Sequence, residues 1–113
     1  MNQTSNSPTR AGFLILFALG SGEKHGYALM REARELSDGD FQIGPATLYT
    51  TIQRLLESAC IKEVNGPKNS DSRRRHYALT GSGSDVLNLE LKRMEAMVKK
   101  SKSMRLRAAG SES

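Results

Sequence analysis

The sequence is poor in the residues that disulfides, metal sites and aromatic pockets need. It has no tryptophan, one cysteine (Cys60) and two histidines among 113 residues. A single cysteine excludes an intramolecular disulfide framework and suits a reducing compartment, so we predict a cytoplasmic protein. Because so few Cys and His ligands are present, a multi-ligand metal site is not expected, and we predict neither a metal nor a cofactor.

Long apolar segments and catalytic constellations are also missing from the sequence. The longest apolar run, Phe13 to Leu19, is far shorter than the roughly 20 residues that cross a bilayer, so we expect no membrane partner. No nucleophile is accompanied by a base and a third orienting group. The glycines of "TGSGSD" at 80–85 do not complete G-x-G-x-x-G, because residue 86 is valine. We therefore predict that the protein is not an enzyme and has no catalytic residue.

Positive charge is what the sequence has in excess. It carries 17 Lys and Arg against 12 Asp and Glu, a net charge of +5, and its isoelectric point is near 9.7. Residues 1–40 are slightly acidic, whereas residues 41–80 and 81–113 are both basic. A basic domain favours a polyanionic partner such as nucleic acid.

Helix caps and apolar periodicity predict three helices in the first half of the chain. Ser7-Pro8 is typical of a helix start, and the first helix, apolar on nearly every face, should end near Gly20. A second helix covers about residues 25–37, where apolar residues recur at three- and four-residue spacing. Gly44-Pro45 then opens a third helix, with proline again at its first position.

A hairpin and a fourth helix complete the predicted fold. Runs at 61–64 and 74–79 resemble strands, and the connection between them is rich in turn-forming residues. Thr80 is a good N-cap for a last helix. This order is that of a winged helix-turn-helix, mainly α with a small β-hairpin wing. The predicted parts are a disordered N-terminus (1–7), the winged helix-turn-helix domain (8–80), a C-terminal dimerisation helix (81–107) and a disordered tail (108–113).

The third helix has an apolar stripe and an unusual polar surface. On a helical wheel, the core stripe consists of Leu48, Ile52, Leu55, Leu56 and Ala59. The N-terminal half of the second helix of a helix-turn-helix enters the major groove, where small hydroxyl side chains do not block entry. Tyr49 can reach a phosphate, and Gln53 and Arg54 can reach base edges. We predict DNA contacts from Thr47, Tyr49, Thr50, Gln53 and Arg54.

The hairpin adds a basic cluster to this surface. Arg73, Arg74 and Arg75 begin its second strand, and Lys68 lies in its tip. A phosphate backbone explains three arginines beside a groove-sized helix better than a solvated surface does. The alternative is a winged helix used as a protein-interaction module of the anti-repressor type, which does not read DNA. Such a wing should be less basic and more apolar.

Three motifs resemble the PadR family of bacterial transcriptional regulators. They are "HGYAL" at 25–29, "PATLYTTIQRLLESACI" at 45–61 and "RRRHYALTGSG" at 73–83. The resemblance implies a homodimer that represses by binding an inverted-repeat operator. It matches Thr47 and Tyr49 to the recognition helix and the arginine run to the wing. The chain departs from the family pattern at Ala59, where glycine is common, and in the wing, which lacks Gly-Arg-Pro.

The last helix carries the predicted dimer contacts. Its apolar residues step by four, three and four positions, as in a short coiled-coil seam, and the first helix is expected to pack against the partner's last helix. The predicted dimerisation residues are Phe13, Phe17, Leu87, Leu91, Met94 and Val98. The resemblance also allows a small hydrophobic effector at this interface. The last helix offers it methionines, including Met97, but no aromatic side chain.

Overall fold

The computed structural model describes residues 7–65, 75–104 and 106–109. The three strands form one antiparallel sheet in the order β1–β3–β2. The predicted series of three helices, a hairpin and a final helix is confirmed. The elements are α1 (Arg10–Leu19), β1 (Lys24–His25), α2 (Gly26–Leu36), α3 (Pro45–Glu57), β2 (Ile61–Val64), β3 (His76–Leu79) and α4 (Gly81–Ser103).

The first helix is the centre of the core. Ile15 and Leu16 of α1 are completely buried, as a helix that is apolar on nearly every face requires. It contacts α2, α3, α4 and β3, so the other elements are arranged around it. None of the helices in the described part of the chain is both long and apolar enough to span a bilayer.

The first helix starts two residues later than predicted. Thr9, not Ser7, is its N-cap, and the Thr9 hydroxyl accepts a hydrogen bond from the Gly12 N–H at 3.0 Å. The Ser7 hydroxyl instead accepts a hydrogen bond from Arg93 of α4 at 3.1 Å. A cap must lie three residues before the N–H it satisfies, and Thr9 is the residue that meets this condition for a helix beginning at Arg10.

A third strand, which the sequence did not reveal, precedes the second helix. Lys24 pairs with Tyr77 and His25 pairs with His76, which puts β3 in the middle of the sheet. A two-residue strand is too short to show alternation. His25 is also the N-cap of α2, and its Nδ1 accepts a hydrogen bond from the Ala28 N–H at 3.3 Å.

The third helix ends in a Schellman motif built on an alanine. The N–H groups of Ala59 and Cys60 donate to the carbonyls of Leu56 and Leu55 at 3.0 and 2.9 Å. Ala59 has a φ of 61°, which is the left-handed conformation that glycine usually adopts at this position. Its predicted place on the core stripe is wrong, because the left-handed turn leaves Ala59 exposed.

The start of the last helix is locked onto the end of the third. The Thr80 N–H donates to the Cys60 carbonyl at 3.1 Å, and its hydroxyl donates to the Ala59 carbonyl. The same hydroxyl accepts from the Gly83 N–H at 3.0 Å, which confirms Thr80 as the N-cap. A Cβ on Gly83 would lie 1.9 Å from the Cys60 oxygen, so only glycine permits this approach.

The last helix is shorter than predicted, and the apolar residues of its predicted seam differ in burial. It ends at Ser103 rather than at 107. Near Ser103 the hydroxyls of Ser101 and Ser103 donate hydrogen bonds to backbone carbonyls one turn earlier. Leu87, predicted to contact a partner, is buried in the core of its own chain. The reason is that the Thr80 junction draws the first two turns of α4 against α1. Val98 remains 54% exposed.

We predict that Ala59→Gly stabilises the fold. Glycine removes the cost of about 1–2 kcal/mol that an L-residue incurs in the left-handed region, and it loses part of this gain through a more flexible unfolded chain. The free energy of unfolding should rise by about 1 kcal/mol, measured by urea denaturation.

The matched control is Ala46→Gly, an exposed position in the first turn of the same helix. This change should lower stability by about 0.5–1 kcal/mol, because glycine is a poor helix former. Equal losses at both positions would contradict the assigned conformation of Ala59.

Candidate nucleic-acid interface

The third helix separates its apolar and polar surfaces as predicted. Leu48, Ile52 and Leu55 are buried in the core. The five predicted contact residues all lie on the surface: Thr47, Tyr49, Thr50, Gln53 and Arg54. The structure therefore brings the predicted recognition residues together on one exposed surface.

Thr51 is the exception among the threonines of this helix. It is buried, and its methyl group lies 3.9 Å from the Cβ that an alanine at position 12 would have. Thr51 therefore packs against α1 near Gly12 rather than facing solvent. Two of the three threonines, Thr47 and Thr50, remain for contact with a ligand.

The start of the third helix is suited to approach by an anion. Gly44 is its N-cap, and no side chain caps its first turn. The first turn of α3, all of which lies among the described residues, contains no acidic residue. The unpaired N–H groups and the positive end of the helix dipole therefore face outward without a counter-charge, as they do in phosphate-binding helix starts.

A cleft of about 480 Å³ separates the third helix from the sheet. Met30, Leu48 and Ile52 give it an apolar floor, and Tyr27 and Tyr49 stand at its rim, 73% and 74% exposed. Tyr27 is not among the site residues predicted from the sequence. The signal for it was a large aromatic residue in the first turn of the helix that precedes the recognition helix, within "HGY".

Arg75 and Tyr77 line the sheet side of this cleft. Burial raises the pKa of the Tyr77 phenol, the Glu63 carboxylate raises it further, and Arg75 opposes both. The phenol is therefore a neutral hydrogen-bond donor at neutral pH. Arg75 lies 3.7 Å from the Glu63 carboxylate, and both side chains are largely exposed. Such a pair contributes little to stability, so Arg75 can exchange its partner for a phosphate.

The remaining predicted wing residues, Lys68, Arg73 and Arg74, lie outside the described residues. His76 is buried in the middle strand, and its ring packs edge-on against His25 at 5.6 Å between centroids. The wing base is therefore held by three strands rather than two.

The predicted dimer residues of the first helix lie side by side. The rings of Phe13 and Phe17 are 5.7 Å apart, and Phe17 is 38% exposed. On α4, Leu91 packs against the edge of the core, and Met94 is half-buried. Of the six predicted dimer residues, only Leu87 is fully committed to its own chain.

Comparison with known proteins gives two consistent findings at the sequence level. Residues 15–89 match the model of the transcriptional regulator PadR-like family. A stretch of 75 residues is 31% identical to uncharacterized protein X of Lysinibacillus sphaericus, covering 66% of this chain and 69% of that protein.

Solved structures share the fold. A PadR family transcription regulator from Clostridium difficile R20291 superposes with a TM-score of 0.72 at 24% identity, over 84% of this chain and 97% of that one. Bacillus subtilis PadR, solved in complex with operator DNA, gives a TM-score of 0.61 at 18% identity, over 90% of this chain. This chain spans 51% of the length of Bacillus subtilis PadR. Both comparisons support a winged helix.

We predict that variants on the two sides of α3 fail in different ways. Leu48→Ala should destabilise the domain by roughly 2–5 kcal/mol, as truncation of a buried leucine does. Gln53→Ala and Arg54→Ala should leave the melting temperature nearly unchanged and reduce discrimination between operator and scrambled DNA by about 1–3 kcal/mol per contact. Thermal melts and binding isotherms on both duplexes would measure these effects.

Tyr49→Phe is the comparison within the same surface. It removes a hydroxyl that would bond to a phosphate, so it should weaken binding to both duplexes alike. Wild-type binding of both duplexes by the Gln53 and Arg54 variants would show that this surface does not read DNA.

Proposed function

Because the chain belongs to the PadR-like family of transcriptional regulators, we propose that it is a homodimeric repressor of an inverted-repeat operator in double-stranded DNA. The observation that carries this proposal is the exposed polar surface of α3, with its uncapped start and its core stripe turned away. The site of action is the cytoplasm. The single cysteine supports that location only by suiting a reducing compartment.

The recognition helix has the dimensions and chemistry that the major groove requires. Its 13 residues give a rod of roughly 20 Å, and the groove is about 12 Å wide. In the proposed complex, Thr47 and Thr50 fit against the groove wall, and Gln53 and Arg54 hydrogen-bond to base edges. Tyr49, at the rim of the cleft, contacts the backbone.

The wing supplies charge rather than sequence recognition. Arg75 stands at the edge of the cleft next to Tyr49. Arg73 and Arg74 directly precede it in the sequence, and Lys68 lies seven positions before it. In the proposed complex these four side chains neutralise phosphates and release counterions, which gives affinity without base readout.

The dimer is supported by apolar surface that one chain leaves uncovered. Met97 and Val98 of α4 are 63% and 54% exposed, and Phe17 of α1 is partly exposed. A two-fold dimer formed through these residues presents two copies of α3. Two-fold symmetry of the protein requires a matching symmetry of the operator, with half-sites separated by about one helical turn.

A small hydrophobic effector remains an expectation from the resemblance. The residues that would line its site at the proposed dimer interface are Met94, half-buried, and Met97, exposed. Unbranched methionine side chains adapt to varied apolar ligands. Their place on the dimer helix would link ligand binding to the distance between the two copies of α3.

We predict that Val98→Asp abolishes the dimer without unfolding the chain. Val98 is exposed in a single chain, so a carboxylate there costs little until a partner covers it. Analytical ultracentrifugation should show monomers of the variant and dimers of the wild type. Binding to an inverted repeat should weaken with the dimer.

The matched control is Leu89→Asp, the same change at a similarly exposed position. Nine residues separate Leu89 from Val98, so they lie on opposite sides of the helix. This variant should remain dimeric. A monomeric wild type at micromolar concentration would contradict the dimer, and loss of the dimer in both variants would contradict the assigned side.

We predict a steep salt dependence that the wing controls. With about six phosphate contacts per dimer, the logarithm of affinity should fall against the logarithm of salt concentration with a slope of roughly −5. Replacing Arg73, Arg74 and Arg75 by alanine should flatten this slope and weaken all sequences alike. Fluorescence anisotropy across a salt series would measure it.

The control for net charge replaces Lys99, Lys100 and Lys102 of α4 by alanine, which removes the same charge far along the chain. Its slope should stay close to that of the wild type. If both triple variants change the slope equally, net charge rather than wing contact explains the effect.

A further inference from the structure

A second groove lies beside α3, on the side opposite the cleft that Tyr27 and Tyr49 line. It has a volume of about 400 Å³ and runs between the start of α1 and the exposed surface of α3. Phe41 and Ala46 form its apolar walls. Its polar lining comes from Thr9, Arg10, Thr47, Thr50, Thr51 and Arg54.

The lining of this groove matches a phosphodiester strand in charge and hydrogen bonding. Arg10 from α1 brings a guanidinium group to it, a planar set of donors that fits phosphate oxygens, and Arg54 from α3 adds positive charge to the same lining. Thr47 and Thr50 add hydroxyl groups of suitable size. The first turns of α1 and α3 contain no acidic residue.

Arg10 is already held in position by neighbouring groups. Its Nη2 lies 2.6 Å from the Asp40 Oδ2, and its guanidinium carbon lies 4.7 Å from the centre of the Phe41 ring. The Arg10 and Asp40 side chains are 54% and 73% exposed, respectively. The Phe41 ring supports the flat guanidinium, while the carboxylate occupies a position that a phosphate oxygen could take.

A helix in the major groove is flanked by two phosphate strands, one on each side. The cleft with Tyr49 and Arg75 lies on one side of α3 and would face the first strand. The groove with Arg10 lies on the other side, next to Thr47 and Thr50. A duplex that meets the recognition surface of α3 therefore has its second backbone strand beside α1.

We propose that this groove binds the second backbone strand of the DNA and that Arg10 is a phosphate contact. In the free protein, Asp40 competes for the Arg10 guanidinium and restrains binding. On DNA, a phosphate replaces the Asp40 carboxylate. This inference rests on the proposed DNA-binding function and adds α1 and Asp40 to its interface.

The test measures binding to a mixed-sequence DNA duplex by fluorescence anisotropy over a salt series. Arg10→Ala should weaken binding by roughly three- to tenfold and reduce the magnitude of the salt slope by about 0.9 for each Arg10 engaged. Asp40→Asn should tighten binding, because it removes both the competitor and a charge that repels phosphate.

The matched control for Asp40→Asn is Asp38→Asn. Asp38 is also exposed, lies two residues away, and has a φ of 56°, a left-handed conformation that asparagine tolerates. It lines a depression at the end of α2 rather than the groove that Arg10 lines. If Asp38→Asn tightens binding as much as Asp40→Asn does, the effect is general charge and the proposal is overturned.

A double variant separates competition from simple repulsion. If Asp40 acts through Arg10, Asp40→Asn should tighten binding much less in an Arg10→Ala background than in the wild type. Equal tightening in both backgrounds, or an unchanged salt slope in Arg10→Ala, would overturn the proposal. Arg10→Gln, which keeps a long side chain over Phe41, provides a second readout should the alanine variant lose its fold in a thermal melt.

The outcome for the wild type distinguishes this inference from the proposed function. If wild-type protein binds no duplex at low salt, both fail. If the wild type and Asp38→Asn bind equally while Tyr49→Phe weakens binding and the Arg10 and Asp40 variants do not change it, DNA binding stands and only the Arg10 groove is excluded.

Discussion

The close approach of Gly83 to the Cys60 carbonyl is the contact on which the rest of the arrangement depends. A side chain on Gly83 would overlap that oxygen at 1.9 Å, and the Thr80 hydroxyl bridges the Ala59 carbonyl and the Gly83 N–H beside it. The end of α3, the start of β2 and the start of α4 thus meet at this contact. The described residues on either side of this contact therefore join the helix proposed to read DNA directly to the start of the helix proposed to dimerise.

In the proposed dimer, this junction would link the geometry of the interface to the spacing of the two copies of α3. Because Leu87 is drawn into the core, the first turns of α4 cannot swing independently of α1. Only the later, exposed turns are left for a partner. In the proposed dimer, a ligand or substitution that changes how the two copies of α4 cross would therefore also move the two copies of α3, since Thr80 at the start of α4 donates to the Cys60 carbonyl just after α3.

Structural features that repeat along a helix or a strand could be predicted from the sequence, whereas features set by a single tertiary contact could not. The stripe of Leu48, Ile52 and Leu55 and the bounds of β2 were predicted correctly, because burial repeats along a helix or a strand. The strand β1 pairs through two residues and leaves no pattern. Thr51 is buried next to Gly12 of α1, and nothing near Thr51 in the sequence indicates this contact.

The end of α3 is a second feature that tertiary contacts determine and that the sequence does not indicate. The sequence places Ala59 on the apolar stripe if the helix continues, and a left-handed alanine is not the expected choice at a helix end. The backbone nevertheless forms the Schellman hydrogen bonds, because Cys60 must turn into β2 and accept Thr80. Tertiary contact here overrides a local preference of about 1–2 kcal/mol.

Two arginines beside the recognition helix share one electrostatic feature. Arg10 is paired with Asp40, and Arg75 is paired with Glu63, and all four side chains are largely exposed. Exposed pairs of this kind contribute about 0–1 kcal/mol each, so replacing a carboxylate by a phosphate costs little. The carboxylates nevertheless lower the positive potential that a passing duplex meets. In the proposed complex every duplex presents the same phosphate backbone, so this screening lowers the affinity for operator and for nonspecific DNA by a similar free energy. In the proposed complex the acidic partners therefore adjust the overall affinity, while base contacts from α3 determine the sequence preference.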